Sequence, residues 1–189
     1  MPSTRTWSSS WRGDRVLAIE SDAHPIESAE WLREFADRYL EAWNALDPDA
    51  VVAHVAEDVI WHDPALAEPA HGREGVAEFV RQSARGFPDM KFTERGDPAI
   101  AEGGRVAYAP WLMTATNTGP IEPPGLAPTG KRIEVRGIDV WQFRDGLIWR
   151  YEASYDFADV GRQLGLMPPR GGRAERMMVR AQRLRSRLG

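Results

Sequence analysis

The stretch from Lys131 to Asp156 constrains the fold of this chain more than any other part of the sequence. Apolar and polar residues alternate along two runs, which are separated by Arg144, Asp145 and Gly146. An Asp-Gly pair between runs rich in β-branched and aromatic residues is typical of a β-hairpin, because Gly accepts the positive φ that tight turns require. The sequence therefore predicts two long antiparallel strands joined at this turn.

One face of the first hairpin strand is apolar except for a single carboxyl group. Side chains alternate between the two faces of a strand. This face carries Ile133, Val135, Gly137, Asp139, Trp141 and Phe143. Burial of a carboxyl group costs free energy unless the group is hydrogen-bonded or neutral, and it raises the pKa toward the range useful for proton transfer. Asp139 is therefore either a hydrogen-bonded structural residue or a proton carrier.

Helical patterns precede the long strands along the chain. Apolar residues at helical spacing, with Ser28 and Asp47 as N-caps, indicate the first two helices. The predicted helices cover residues 28–45, 48–55 and 73–85. A short strand at residues 59–62 and a loop at residues 65–72 lie between the last two helices.

The remaining strands follow in the second half of the chain. Strands are predicted at residues 90–95 and 105–116, and a Pro/Gly-rich loop of residues 117–130 then leads to the hairpin. A short helix follows to about residue 164. Helices segregated onto one face of an antiparallel sheet define an α+β fold. We expect a curved antiparallel sheet wrapped around three N-terminal helices, with a cone-shaped cavity inside.

Composition divides the chain into three parts. Residues 1–24 are rich in Ser and Arg without a clear period, and we expect a disordered extension. Residues 25–167 form the predicted folded domain, and residues 168–189 form an Arg-rich tail. The apolar residues at helical spacing in the tail are Met177, Ala181, Leu184 and Leu188. The tail is therefore either a basic amphipathic helix that contacts a membrane or partner, or a solvated segment.

Charge and residue usage exclude several functions. Residues 170–189 carry seven arginines and one glutamate, whereas residues 1–169 carry 17 basic and 27 acidic side chains. Because an acidic body is a poor surface for nucleic acids, no nucleic-acid partner is expected. The absence of cysteine excludes a thiolate metal site and a cysteine nucleophile. No serine lies in a Gly-x-Ser-x-Gly motif, so no nucleophilic triad is expected.

The sequence also carries a prediction about location. No apolar run approaches the ~18 residues of a membrane span, and the N-terminal residues lack the apolar core of a signal sequence. Absence of cysteine fits a reducing compartment. We therefore expect a cytoplasmic protein without stable membrane insertion.

An ordered set of short motifs between Tyr39 and Gly165 resembles the nuclear-transport-factor-2-like superfamily, and in particular its SnoaL-like polyketide cyclase branch. The motifs are Tyr39-Leu-Glu-Ala-Trp43-Asn, Asp47-Pro-Asp-Ala, Trp61-His-Asp-Pro64, His71-Gly-Arg-Glu-Gly75, Phe87-Pro-Asp89, Ala127-Pro-Thr-Gly130, Gly137-Ile-Asp139 and Phe143-Arg-Asp-Gly146. The resemblance implies a cone-shaped α+β barrel, a homodimer and a small hydrophobic substrate. It also implies acid–base catalysis without a metal or an organic cofactor.

The resemblance further implies roles for individual residues. In the polyketide cyclases, the residue that matches Asp139 removes and returns a proton during an intramolecular aldol ring closure. Ketosteroid isomerases are a second relative, in which Tyr39 matches the oxyanion-hole tyrosine, Asp63 the general base and Asp139 the protonated acid. Asn117 stands where the cyclases often have a histidine. An asparagine can hydrogen-bond an enolate, but it cannot carry a proton at neutral pH.

Further residues are candidates for the walls of a substrate cavity, because aromatic side chains gathered on a concave surface bind flat apolar molecules. The aromatic candidates are Trp43, Trp111, Trp141 and Tyr151, and two polar residues, Asn117 and His62, are further candidates for substrate binding. His62, Asp63 and His71 are residue types found at metal sites. No further ligand at a suitable spacing accompanies them, so no metal site is expected.

Three functions remain open from the sequence. The chain is a polyketide cyclase, a double-bond isomerase of the ketosteroid type, or a non-enzymatic binding or dimerisation module, because a fold does not fix a function. An epoxide hydrolase of the limonene type is disfavoured, because its final aspartate would fall near Ala153 and its Arg-x-Asp motif within residues 109–113, which contain neither residue. A catalyst requires Asp139 and a second polar group to converge on one cavity.

Overall fold

A computed structural model of the chain describes residues 22–101 and 103–186. The helices are α1 (Ala29–Ala45), α2 (Pro48–Val52), α3 (Gly72–Gly86), α4 (Phe157–Gln163) and α5 (Arg173–Arg185). The strands are β1 (Val55–His62), β2 (Ala70–His71), β3 (Lys91–Glu94), β4 (Ala99–Ile100), β5 (Val106–Thr116), β6 (Arg132–Arg144) and β7 (Leu147–Tyr155). The predicted α+β fold class is confirmed.

The strands form one curved, unclosed sheet in the order β2-β1-β7-β6-β5-β3, and β4 also pairs with β5. All pairs are antiparallel except β1 and β7, which run parallel. The sheet is therefore antiparallel as the sequence predicts, with one parallel pair that the sequence did not predict. Because 84 residues separate the end of β1 from the start of β7, and no hairpin turn joins them, local sequence does not fix their relative direction.

Helix α1 supplies the helical side of the core. Its N-terminus is capped by the Ser28 hydroxyl, which accepts from the backbone N–H of Trp31 at 3.0 Å, and Leu46 ends it in the left-handed conformation. Its buried residues recur at helical spacing. They are Leu32, Phe35, Ala36, Tyr39, Ala42 and Trp43. This apolar stripe packs on the inner face of the sheet.

The central hairpin forms as predicted. Asp145 and Gly146 both have positive φ, at 53° and 74°, as a two-residue hairpin turn of type I′ requires. On β6 the predicted inner face is buried along its whole length, from Ile133 to Phe143. Asp139 is buried with this face and is only 6% exposed. The turn and the alternation therefore fix the position of the carboxyl group inside the core.

Three local predictions need correction. The second helix ends at Val52, and β1 begins at Val55 instead of residue 59. A register irregularity between Val55 and Ile60 interrupts the regular alternation that identifies a strand. The predicted loop at residues 65–72 contains the short strand β2, which pairs with β1 at Ile60 and Trp61.

The ends of the domain differ from each other in packing. The disordered extension predicted for residues 1–24 lies outside the described residues as far as residue 21. Residues beyond it contact the sheet, because the backbone N–H of His24 donates to the carbonyl of Phe143 at 2.8 Å. Helix α5 forms in the Arg-rich tail, and none of its residues is buried. Among the described residues, no helix is both long enough and apolar enough to cross a membrane.

Candidate active site

A cavity of about 710 Å³ lies between the helices and the inner face of the sheet. Apolar side chains from α1, α3, α4 and the long strands form most of its wall. Tyr39, Asp63 and Asp139, for which the resemblance implies catalytic roles, all line this cavity. Helix α1, the end of β1 and the middle of β6 therefore bring two carboxyl groups and one hydroxyl group to a single space.

Asp139 is held on β6 by donors from both neighbouring strands. The indole Nε1–H of Trp111 on β5 donates to its Oδ1 atom at 2.6 Å, and the hydroxyl of Tyr151 on β7 donates to the same oxygen at 2.8 Å. Among the described residues, no donor is bonded to Oδ2. One carboxyl oxygen therefore receives both of these hydrogen bonds and is held between the two neighbouring strands.

Burial controls the protonation of Asp139. Desolvation raises the pKa of its carboxyl to about 7, the hydrogen bonds from Trp111 and Tyr151 oppose this rise, and the negative charge of Asp63 adds to it. The indole of Trp141 also favours the ionised form, although its N–H makes no hydrogen bond of normal geometry. Near neutral pH the carboxyl group is therefore present in both protonation states, as a proton carrier requires.

A glycine makes the Trp111 hydrogen bond possible. Gly137 faces Trp111 directly across the β5–β6 pair, two residues before Asp139. A Cβ atom at position 137 would overlap ring atoms of the Trp111 indole. Because Gly137 has no side chain, the indole packs closely against β6 at this position and its N–H reaches Asp139.

Asp63 lies at the end of β1 and is only partly exposed. Its Oδ1 atom accepts from the hydroxyl of Tyr155 at 2.7 Å and from the backbone N–H of Ala65 at 2.8 Å. Desolvation raises the pKa of Asp63 above its ordinary value, although both hydrogen bonds oppose the rise. Asp63 and Asp139 thus differ in exposure and in hydrogen-bond donors, and they contact the same cavity.

The hydroxyl of Tyr39 is buried and has no hydrogen-bond partner among the described residues. Burial is the main reason why its pKa lies well above the ordinary value, and the negative charges of Asp139 and Asp63 add to the effect. The indole of Trp43 acts in the opposite direction. Tyr39 therefore keeps its proton and is able to donate a hydrogen bond to a ligand.

Aromatic side chains form the cavity wall, as the sequence predicts. Trp43, Trp111, Trp141 and Tyr151 all line the cavity. The Tyr151 ring is itself stacked on Trp61, with ring centroids 3.4 Å apart. Trp111 and Tyr151 are thus both wall residues and donors to Asp139, a second role that the sequence did not reveal.

Two predicted substrate-binding residues do not line the cavity. His62 is the last residue of β1 and does not line the cavity, whereas Asp63 directly after it does, because successive side chains of an extended chain point to opposite faces. Asn117 is fully buried, and its side-chain amide donates to the carbonyls of Gly86 and Gly119 and accepts from the N–H of Thr129. Its hydrogen-bonding groups are therefore occupied within the protein. Asn117 holds the Pro/Gly-rich loop in place.

That loop contributes to the cavity through other residues. Ile121, Pro123, Pro124 and Leu126 line the cavity, and Ile121 pairs with Leu126 across the loop. Asn117 therefore affects the site indirectly, because it fixes the segment that carries these apolar side chains. The direct contact between Asn117 and a ligand that the sequence suggests is therefore not what the structure indicates.

Sequence reasoning missed Tyr155, the hydroxyl partner of Asp63. The two residues are 92 positions apart in the chain, and no local pattern connects them. The sequence does contain a signal for the contact between Trp111 and Asp139. This signal is Gly137, because a glycine in the middle of a strand marks the close approach of another group. Within residues 22–101 and 103–186, no group of three or more His, Asp or Glu side chains is placed to hold a metal ion.

A curved, unclosed α+β sheet that encloses an apolar cavity is the fold of nuclear-transport-factor-2-like proteins. Within this class, a family model described as the SnoaL-like domain matches residues 36–151. The chain belongs to this family. A comparison with proteins of curated function gives no significant match.

Solved structures agree with this assignment. TsrD from Streptomyces laurentii is 25% identical with a TM-score of 0.64, and the match covers 75% of this chain and 100% of TsrD. IdmH from Streptomyces antibioticus, titled "a putative polyketide cyclase", is 26% identical with a TM-score of 0.57, over 70% of this chain and 96% of IdmH. A protein from Catenulispora acidiphila with a ketosteroid isomerase-like fold, in complex with trimethylamine, is 17% identical with a TM-score of 0.59, over 70% and 92% of the two chains. At that identity the likeness concerns the fold alone.

Proposed function

We propose that this protein is an acid–base enzyme that closes a ring by intramolecular aldol addition in a hydrophobic, polyketide-derived substrate. One observation carries the proposal: the carboxyl group of Asp139 lines the cavity, and burial raises its pKa to about 7. A group with this pKa both accepts and returns a proton efficiently near neutral pH. The likeness to IdmH and membership of the SnoaL-like family support the choice of reaction.

The reaction needs no reactant besides the substrate. Ionised Asp139 removes a proton from a carbon next to a carbonyl group, and the electrons of the C–H bond form an enolate. The enolate carbon attacks a second carbonyl carbon of the same molecule, which creates the C–C bond and an alkoxide. Asp139 then returns the proton to the alkoxide oxygen and is regenerated as a carboxylate.

The surroundings of Asp139 suit this sequence of steps. Tyr39 carries the unpaired hydroxyl that would donate to the enolate oxygen as negative charge develops. The aromatic wall would hold the chain of the substrate in a folded arrangement that brings the two carbonyl groups together. Apolar surroundings strengthen the hydrogen bonds to the enolate, because little water competes for them.

A second candidate is a double-bond isomerase of the ketosteroid type. It is favoured by the presence of Tyr39, Asp63 and Asp139 in one cavity. In this case Asp63 moves the proton, and protonated Asp139 donates a hydrogen bond to the enolate. The two candidates require opposite protonation states of Asp139, so their activities change in opposite directions as the pH rises through about 7.

Deuterium exchange on a model β-diketone tests the proposal directly. Wild type is expected to exchange the hydrogen between the two carbonyl groups, and Asp139→Asn is expected to lose about 100-fold or more of this rate. Asp145→Asn is the matched control, because it changes an exposed aspartate of the same hairpin whose positive φ also suits asparagine. Equal rates in wild type and Asp139→Asn would contradict an acid–base role and favour a binding module.

The pH dependence separates the two reactions. For the cyclase, the exchange rate rises as Asp139 ionises through about pH 7. For the isomerase, double-bond migration in a β,γ-unsaturated ketone depends on protonated Asp139 and falls over the same range, and Asp63→Asn abolishes it. The pH–rate profile measured with each substrate therefore shows which protonation state of Asp139 the reaction requires.

A further inference from the structure

Two buried hydrogen-bond donors of residues that line the cavity have no partner within the described part of the chain. Among the described residues, the hydroxyl of Tyr39 and the Nε1–H of Trp141 are buried and unpaired, and both residues line the cavity. Their side chains are 3% and 2% exposed. An unpaired buried donor costs free energy, so two of them at the wall of one cavity indicate a ligand that accepts hydrogen bonds.

The two donors lie beside each other and beside Asp139. The rings of Tyr39 and Trp141 pack edge to face, with centroids 5.4 Å apart. Trp141 follows Asp139 by two residues on β6, so the two side chains share the inner face of the sheet. The ring that carries the Tyr39 hydroxyl therefore packs against the ring of Trp141, whose side chain shares the inner face of β6 with Asp139.

We infer that the Trp141 indole N–H is a second catalytic donor, which binds the enolate oxygen of the substrate together with the Tyr39 hydroxyl. This inference rests on the proposed function and adds the chemical class of the bound group, a planar conjugated oxyanion. Two donors match the lone pairs of one enolate oxygen. Their apolar surroundings make each hydrogen bond to the charged oxygen stronger than it would be in water.

The competing role for Trp141 is to serve Asp139 alone. Its indole already favours ionised Asp139, as stated above, although the N–H makes no hydrogen bond of normal geometry to the carboxyl. If Trp141 acted only on Asp139, its removal would move the titration of Asp139 and leave the binding of an oxyanion unchanged. If it binds the oxyanion, its removal weakens that binding directly.

Binding of 4-nitrophenolate tests the inference without knowledge of the substrate. This phenolate is a planar conjugated oxyanion like the enolate, and its visible absorption reports the bound form. Trp141→Phe and Tyr39→Phe are each expected to weaken its binding by about 10-fold or more, because each removes one hydrogen bond to a charged oxygen. Nitrobenzene lacks the oxyanion, so its affinity for the same variants is expected to change little.

Trp149→Phe is the matched control for the loss of an indole. The Nε1–H of Trp149 donates to Asp58, and Trp149 does not line the cavity. Its replacement is expected to leave the affinity for 4-nitrophenolate unchanged. Unchanged affinity in Trp141→Phe, or a shift in the Asp139 titration without a loss of affinity, would overturn the inference.

A measurement on the wild-type protein guards against a variant that fails to fold. The indole N–H resonance of Trp141 is expected to move downfield when 4-nitrophenolate binds and to respond much less to nitrobenzene. An unchanged resonance under saturating phenolate would overturn the inference. These readouts do not depend on turnover. Loss of exchange activity in Asp139→Asn therefore tests the proposed function separately.

Discussion

The indole ring of Trp111 on β5 lies over the backbone of Gly137 on β6. This contact leads the Trp111 N–H to the carboxyl of Asp139, two residues further along β6. Any other residue at position 137 would place a Cβ atom between the Trp111 indole and the backbone of β6. Gly137 thus determines whether the proposed proton carrier receives one of its two hydrogen bonds.

Gly137→Ala is expected to damage the site without changing any titratable group. The added methyl group overlaps the indole, so Trp111 must move and its 2.6 Å hydrogen bond to Asp139 is lost. Overpacking of this kind costs about 1–3 kcal/mol in the free energy of unfolding. Because that hydrogen bond lowers the pKa of Asp139, the pKa should rise further. Urea denaturation and carboxyl NMR measure the two effects.

The double variant Gly137→Ala, Trp111→Phe provides the control. Trp111→Phe alone removes the donor and opens space above position 137, so the added methyl group should cost less in the double variant than in the wild type. Additive losses of stability would show that the two residues do not interact as described.

Asp139 should make the free energy of unfolding decrease as the pH rises. Its pKa is about 7 in the folded protein and near 3.8 when the chain unfolds. Between these two pH values Asp139 is protonated in the folded protein and ionised in the unfolded chain. The free energy of unfolding therefore decreases as the pH rises through this range, by on the order of 4 kcal/mol in total. In Asp139→Asn this contribution is absent. Urea denaturation from about pH 4 to about pH 8 measures it.

The difference between the two proteins isolates this effect from other titrating groups. Asn still accepts from Trp111 and Tyr151 through its carbonyl oxygen, so the variant should gain stability relative to wild type toward alkaline pH. A constant difference across the pH range would mean that Asp139 has the same pKa in the folded and unfolded protein. Such a carboxyl group would not be poised for proton transfer.

Tyr155→Phe should affect Asp63 and spare Asp139. The hydroxyl of Tyr155 donates to Asp63 at 2.7 Å and lowers the pKa of that carboxyl, so its loss raises the pKa of Asp63 further. A change in the isomerase assay without a change in β-diketone exchange would assign Asp63 to the former reaction only. Tyr108→Phe on the exposed outer face of β5 is the control. Carboxyl NMR titration measures the pKa of Asp63 in both variants.

The outer face of the sheet is where we expect the homodimer implied by the family resemblance. Ile138 is 45% exposed there and lies opposite Pro110 on β5, while the exposed Tyr108 lies opposite Val140. Exposed apolar side chains on adjacent strands favour association with a second copy. Ile138→Asp should therefore give a monomer in sedimentation analysis, whereas Arg132→Asp near the strand end should not. A monomeric wild-type protein would contradict this prediction.

Much of the fold follows from patterns along single segments. The helical stripe of α1 and the alternation along β6 fix which side chains are buried, and the Asp145–Gly146 turn fixes the hairpin. These patterns placed Asp139 in the core correctly. The start of β1 was missed, because an irregular register removes the alternation on which the prediction depends.

The partners of the site residues could not be predicted in the same way. Trp111 reaches Asp139 only because the β5–β6 register sets Trp111 opposite Gly137, and a single sequence does not specify a register. The bond between Tyr155 and Asp63 likewise requires the parallel β1–β7 pair. The family pattern indicates Asn117 as a substrate contact, whereas its side chain is hydrogen-bonded to the backbone of Gly86 and of its own loop.

Carboxyl-carbon NMR titration, with the Asp139 resonance assigned through Asp139→Asn, measures the pKa on which the proposed acid–base role of Asp139 depends. We expect a midpoint near pH 7, because desolvation outweighs the two hydrogen bonds to the carboxyl group. A midpoint near the ordinary 3.8 would contradict it. Asp139 would then be a permanently ionised structural residue, and the cavity would belong to a binding protein instead of an acid–base enzyme.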